Sequence, residues 1–280
     1  MAAAAVLLAL ASSVLWGTAD FAGGLVSRRI PSVTVAVLSQ LAGFVPLLVA
    51  VAIRGGSLDW GSVGLGLAAG VGGGLGLAAF YEALAHGTMS IVSPIAGCGA
   101  LVPFALGLAT GERPSALALA GAAVALTGAA VASTEERRIS IGAQRRAVGL
   151  AVVAAVAFGV FFWFVGIGSR HGEVLSTLVG GRVGSLAFLV PLALVYRASL
   201  RIPRELLVPV AAIGLCDVSA NALFALSTSH GLLSLVSVLG SLYPVVTVVL
   251  AYAFLHERLT RVQLGGIAIA LAGVAAVSAG

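Results

Sequence analysis

The chain has 280 residues, 60% hydrophobic and only 9% charged, with a mean hydropathy of +1.14 and a formal net charge of +5 that comes from 15 arginines and no lysine. A soluble domain carries about 25% charged residues, so a water-facing globular surface is excluded. Nearly all the arginines sit in short connections instead of along one face, which gives nucleic-acid binding little support.

Apolar runs of about 20 residues are long enough to cross the hydrocarbon of a bilayer at 1.5 Å rise per residue. Cutting the chain at charged and Gly/Pro-containing breaks predicts ten such spans: 3–25, 33–53, 61–85, 90–109, 115–133, 148–168, 174–196, 206–229, 232–254 and 261–279. The start, MAAAAVLLALASSVLWG, lacks the basic region of a secretory leader and runs on into more apolar chain, so it reads as the first span. That span carries Trp16 and, one turn later, Asp20, about 7 Å from mid-depth at helical rise. Span two carries Gln40.

Span three contains GLGLAAGVGGGLG at 64–76, which fits the GxGxxA form of a dinucleotide fingerprint and also a GxxxGxxxG ridge of Gly66, Gly70 and Gly74. A dinucleotide loop needs a preceding strand and a soluble helix, whereas these glycines lie within an unbroken apolar span. The ridge reading follows: glycines four apart strip one helix face and let a neighbour approach at backbone distance. No cofactor is expected. Near the end of this span Glu82 precedes His86 by one turn and reads as an acid snorkelling to the headgroups, while His86 and His230 read as polar caps of matched turns.

Pro94 and Pro103 in span four and Pro244 in span nine release backbone carbonyls, a break tolerated only against protein or a water-filled cavity, so bends near a site are predicted there. Glu112-Arg113 and Glu257-Arg258 follow spans four and nine and read as fixing tight turns. The stretch TEERRISIGAQRRA at 134–147 has six charged residues in fourteen and separates five spans from five. It reads as a charged linker between a first unit, 1–133, and a second, 148–280. In the second unit Phe158, Phe162 and Trp163 lie in span six, Arg182 in span seven, Asp217 and Asn221 in span eight, and Tyr243 in span nine. Cys98 and Cys216 show neither metal-ligand nor disulfide spacing and read as small core residues; no metal site is expected.

The two units repeat. HGTMSIVS at 86–93 matches HGLLSLVS at 230–237 in five of eight positions, and 112–133 matches 257–278 in ten of 22. Because five spans is an odd number, the second copy enters the bilayer from the side opposite to the first. The predicted architecture is an all-α membrane protein of ten transmembrane helices in two inverted five-helix repeats, the arrangement that converts an outward-open cavity into an inward-open one by exchanging the conformations of the halves.

A charge at mid-bilayer costs at least about 2.5 kcal/mol, which makes Asp20, Glu82, Arg182 and Asp217 functional candidates by default. Arg182 and Asp217 lie within about 5 Å of mid-depth and form the candidate pair: an arginine to clamp an anionic group, an aspartate to bind an ammonium or to carry a proton. A static salt bridge is the bland alternative, but apolar side chains would fill a purely structural role at less desolvation cost. Asn221 shares the face of Asp217 one turn on, and Gln40 holds in span two the place that Arg182 holds in span seven. Trp16, Asp20, Phe158, Trp163 and Tyr243 are candidate walls of the same cavity. One arginine and one aspartate suit amino acids, weak acids and cationic drugs alike.

WGTADF in span one, YEALAHGTMSIVSP with its partner ALSTSHGLLSLVSVL, and LYPVVTVVLAYAFLHERLTRVQLGGIAIALAGV together resemble two EamA repeats of the drug/metabolite transporter superfamily. The resemblance covers almost the whole chain and departs in the first half, where Ala100 stands opposite Pro244. It implies a ten-helix secondary carrier of a cell inner membrane that exports a small organic metabolite, with lipid as its surroundings, protons as a candidate coupling partner and no nucleic acid. It also implies cytoplasmic termini. The arginines argue the reverse, since eleven lie in the loops that share a side with neither terminus and three in the alternate set, which puts the termini outside. The rival class is a membrane protein that binds or senses a solute without moving it. An intramembrane enzyme would need a nucleophile with its base, or a metal cluster, and the scattered acids and histidines supply neither.

Overall fold

The computed structural model describes residues 3–87, 89–132, 141–170, 173–255 and 260–280. In chain order the helices are α1 (Ala3–Val26), α2 (Ser32–Ile53), α3 (Trp60–His86), α4 (Met89–Gly97), α5 (Leu101–Ala109), α6 (Ala116–Ala132), α7 (Ile141–Arg170), α8 (Val174–Val195), α9 (Arg204–His230), α10 (Leu233–Gly240), α11 (Tyr243–Leu255) and α12 (Arg261–Ala279). The described residues form no strand. A backbone that hydrogen-bonds within each segment is what an apolar solvent demands, and side chains such as Leu7, Ile53, Leu194 and Val208 point outward, as they can only where lipid replaces water.

Among the described residues, eight helical stretches are long and apolar enough to cross a membrane, and two apolar ones, Ile95–Ala109 and Ala116–Ala132, are shorter. The predicted fourth span is interrupted by a 3₁₀ turn at Cys98–Ala100, which divides α4 from α5 midway between Pro94 and Pro103. The predicted ninth span breaks at Ser241-Leu242, ahead of Pro244, which has no N–H to give the Gly240 carbonyl four residues back and whose ring crowds that carbonyl. The helix of the predicted sixth span, α7, begins at Ile141, inside the stretch read as a linker. Glu257-Arg258 lie outside the described residues. Cys98 is exposed and so not a core residue, while Cys216 is half-buried and packs against the core. In a bundle bathed in lipid the outer helix faces are as apolar as the inner ones, so hydropathy alone does not separate them.

Helix α3 packs against α8 and α7, and α9 against α2 and α1; α2 also meets α8, α6 meets α12, α4 and α5 meet α7, and α10 and α11 meet α1. Exchanging α1 with α7, α2 with α8, α3 with α9, the α4–α5 pair with the α10–α11 pair and α6 with α12 maps this set of contacts onto itself. The α3–α8 seam explains its glycines. A Cβ on Gly66 would overlap the Thr177 carbonyl, and one on Gly70 the Gly181 carbonyl, while the Gly74 face rests on Ser185. The backbones touch, and that places the polar side chains of α8 against the middle of α3.

Candidate solute cavity

A cavity of about 70 Å³ opens between the helices near their midpoints. Each half contributes. From the first come Trp16 and Asp20 on α1, Gln40 on α2, and Gly70, Gly73 and Leu77 on α3; from the second come an α7 face, an α8 face around Arg182, Asp217 and Asn221 on α9, and Tyr243 on α11.

Its polar floor is one connected network. Arg182 Nη2 lies 2.7 Å from Asp217 Oδ2, and Arg182 Nη1 donates to Gln40 Oε1. Gln40 Nε2 donates to Asp217 Oδ2 at 3.1 Å, so one amide bridges both members of the ion pair. Ser185 Oγ donates to Gln40 Oε1 at 2.8 Å, and Asn221 Nδ2 to Asp217 Oδ2 at 3.2 Å. Arg182, Gln40 and Asn221 are buried, and the Asp217 side chain retains 17% exposure. A buried charge pair is tolerable when further hydrogen bonds satisfy it, and here α2 and α9 supply them through Gln40 and Asn221. Room for the guanidinium comes from Gly43 on α2, where a Cβ would stand 3.1 Å from Arg182 Nη2 and 2.6 Å from the Gly214 carbonyl.

The rest of the wall is aromatic. Phe158, Phe161, Phe162 and Val165 line the cavity from α7 at spacings of three and four, one stripe of a helix. Trp163, a predicted wall residue, is not on that stripe and does not line the cavity; it is half-buried against the core. Counting 3.6 residues per turn from Phe158 picks out Phe161 instead. Trp16 packs on Phe162 at 5.3 Å and on Phe224 at 5.5 Å, and Phe80 backs Phe158 and Tyr243 at 5.8 and 6.2 Å. Tyr243 opens α11 immediately after the helix break, so the break aims its ring inward. Asp20, one turn beyond Trp16, faces the cavity with 9% exposure and makes no hydrogen bond or ion pair with a described residue.

Away from the cavity, among the described residues, Arg54 pairs with Glu173 and two larger charged clusters also join the halves. Glu82 accepts from Ser32 Oγ at 2.7 Å and from Arg146 Nη2 at 3.2 Å, so it is an ion-pair partner at the end of α3 and not a lone snorkelling acid. His86 Nδ1 lies 3.0 Å from the Glu82 carbonyl, within the last turn. Glu112 pairs with Arg170 and accepts the amide hydrogens of Leu233 and Ser234, each at 2.9 Å, so it caps α10 across the half boundary in addition to its place in a turn. Burial alone would raise the Glu112 pKa, but the hydrogen bonds from Ser234, Arg170 and Leu233 outweigh it and hold the carboxyl below its ordinary value. Arg146 and Arg170 stand near opposite ends of α7, about 36 Å apart at helical rise. Reading Glu112 as a turn residue missed its cap; the signal was an acid followed, in space only, by the open amides of a helix start.

Residues 3–134 and 145–279 each match the model of the EamA-like transporter family. The chain belongs to the EamA-like transporter family. Its two matched stretches are two repeats of that family, whose members are membrane transporters and not enzymes. The fold of this EamA-like transporter is similar to that of a protein of known crystal structure at 19% sequence identity, with a TM-score of 0.77 over 98% of this chain and 96% of the other. No curated protein matches the sequence.

Proposed function

We propose that this EamA-like transporter is a carrier that exports a small organic solute across a bacterial inner membrane by alternating access. Its ten spans are the eight long stretches together with the broken α4–α5 segment and α6, arranged as inverted halves, 1–133 and a second that opens with α7 inside the stretch 134–147. The observation that carries this reading is the composition of the polar floor: Gln40 from one half holds Arg182 and Asp217 from the other. A solute entering the cavity beside those groups changes the charge they balance and so alters the contact between the halves, and this couples binding to rocking. Support comes also from the exchange symmetry of the helix contacts and from the Glu82–Arg146 and Glu112–Arg170 clusters, which join the halves at opposite ends of α7 and would open in turn. In this reading Asp217 is the group through which proton coupling would run.

The test needs no substrate. Single cysteines at Leu77 and Thr177, in a Cys98→Ala, Cys216→Ala background in proteoliposomes, should react with a membrane-impermeant maleimide added to either side. Reaction from one side alone, under every condition, would leave a sensor without flux and remove the carrier.

A further inference from the structure

The ionisable groups of the cavity do not balance. Asp20 and Asp217 bring two carboxyl groups against the single guanidinium of Arg182. Arg182 is already committed to Asp217 and Gln40, and Asp217 has the amides of Gln40 and Asn221 as well. Asp20 has no such partner among the described residues. A carboxylate held out of water without a counter-charge is costly wherever the bilayer surrounds it.

The surroundings of Asp20 say what would relieve that cost. Trp16 lies one turn before it on the same helix, and Phe158, Phe161, Phe162 and Tyr243 complete the wall. Aromatic faces carry negative charge density and attract cations. An anionic solute would meet repulsion from Asp20 and would have to compete with Asp217 for Arg182. The Tyr243 hydroxyl is buried without a hydrogen-bond partner among the described residues, leaving one polar group free for a ligand.

Resting on the reading of this cavity as the solute site, we infer that it takes a monovalent organic ammonium whose charge pairs with Asp20 and whose apolar body lies against Trp16 and the α7 phenylalanines. The ion balances the cavity to neutrality, leaves the Arg182–Asp217 pair intact and is held by π faces on the other side. A zwitterion or an acid would need Arg182 released first.

Three probes with one ring and three charges decide it: benzyltrimethylammonium, benzyl alcohol and phenylacetate, titrated calorimetrically into the purified full-length protein. The fixed cation alone should bind. Asp20→Asn should weaken that binding at least about tenfold, while Asp20→Glu, which keeps the charge, should retain the preference for the cation. Should Asp20→Asn fail to fold, the ranking of the three probes in the wild type and in Asp20→Glu still decides. Equal or tighter binding of phenylacetate or benzyl alcohol, no heat from the cation at millimolar concentration, or undiminished cation binding in a folded Asp20→Asn protein overturns the inference. The two-sided cysteine labelling involves no ligand charge, so it tests the carrier reading separately.

Discussion

The cavity network and the Glu112 cluster are both built from an arginine and a carboxylate, yet they end in opposite conditions. At the α10 end, Glu112 uses both oxygens on backbone amides that had no helical partner and adds Arg170, so its charge and those amides are satisfied by the fold. In the cavity, Arg182, Gln40 and Asp217 hold one another while Asp20 makes no hydrogen bond or ion pair with a described residue. Polar groups in hydrocarbon are costly in either place. A cluster whose needs are met by backbone holds a structure together, and one that leaves a charge unmet keeps a place for something that is not protein.

The comparison can be broken most severely at Arg182. Its replacement by Met strands Asp217 in a nearly dry site, and removing one member of a buried pair costs about 3–5 kcal/mol. The melting temperature in detergent should fall sharply and solute counterflow in proteoliposomes should cease. The double variant Arg182→Met, Asp217→Leu should regain most of the melting temperature without regaining counterflow. Counterflow in the double variant would show that the network is scaffolding like the Glu112 cluster.

Glu112→Gln is the next step down. Losing a charge-assisted cap costs about 1 kcal/mol, a loss of a few degrees in melting temperature. Its pH signature is sharper than its size. A carboxyl whose folded pKa is lowered contributes stability that is complete above its ordinary value of 4.5 and disappears as the pH falls through the folded value. Wild-type melting temperature should therefore drop in acid more steeply than that of Glu112→Gln, and parallel curves would refute the cap. Least affected should be Arg54→Ala. Its pair with Glu173 spans 3.4 Å with both side chains partly exposed, and such pairs are worth well under about 1 kcal/mol.

Much of the molecule was legible as sequence, because the bilayer imposes a length and a polarity that composition reports directly. Arg182, Asp217, Asn221 and Gln40 stood out because a charge or amide amid apolar residues has few reasons to be there. Trp163 and Cys98 were misread for one reason: an apolar residue on a membrane helix satisfies either a neighbour or lipid, and the sequence has no water-facing side against which to orient it. Phe161 and Ser185 were within reach of helical spacing, at three residues from Phe158 and from Arg182.

By itself, then, the sequence determined that the chain lies in a membrane as helices, that its halves repeat, and which few polar residues lie deep, since each follows from the cost of charge in hydrocarbon and from the recurrence of letters. Only the tertiary structure decided that Gln40 bridges Arg182 and Asp217, that Glu112 caps a helix 121 residues away, and that Asp20 is left over. Partnership is a matter of distance across helices, and distance across helices is set by backbone contacts such as Gly70 on Gly181, which no spacing along the chain records.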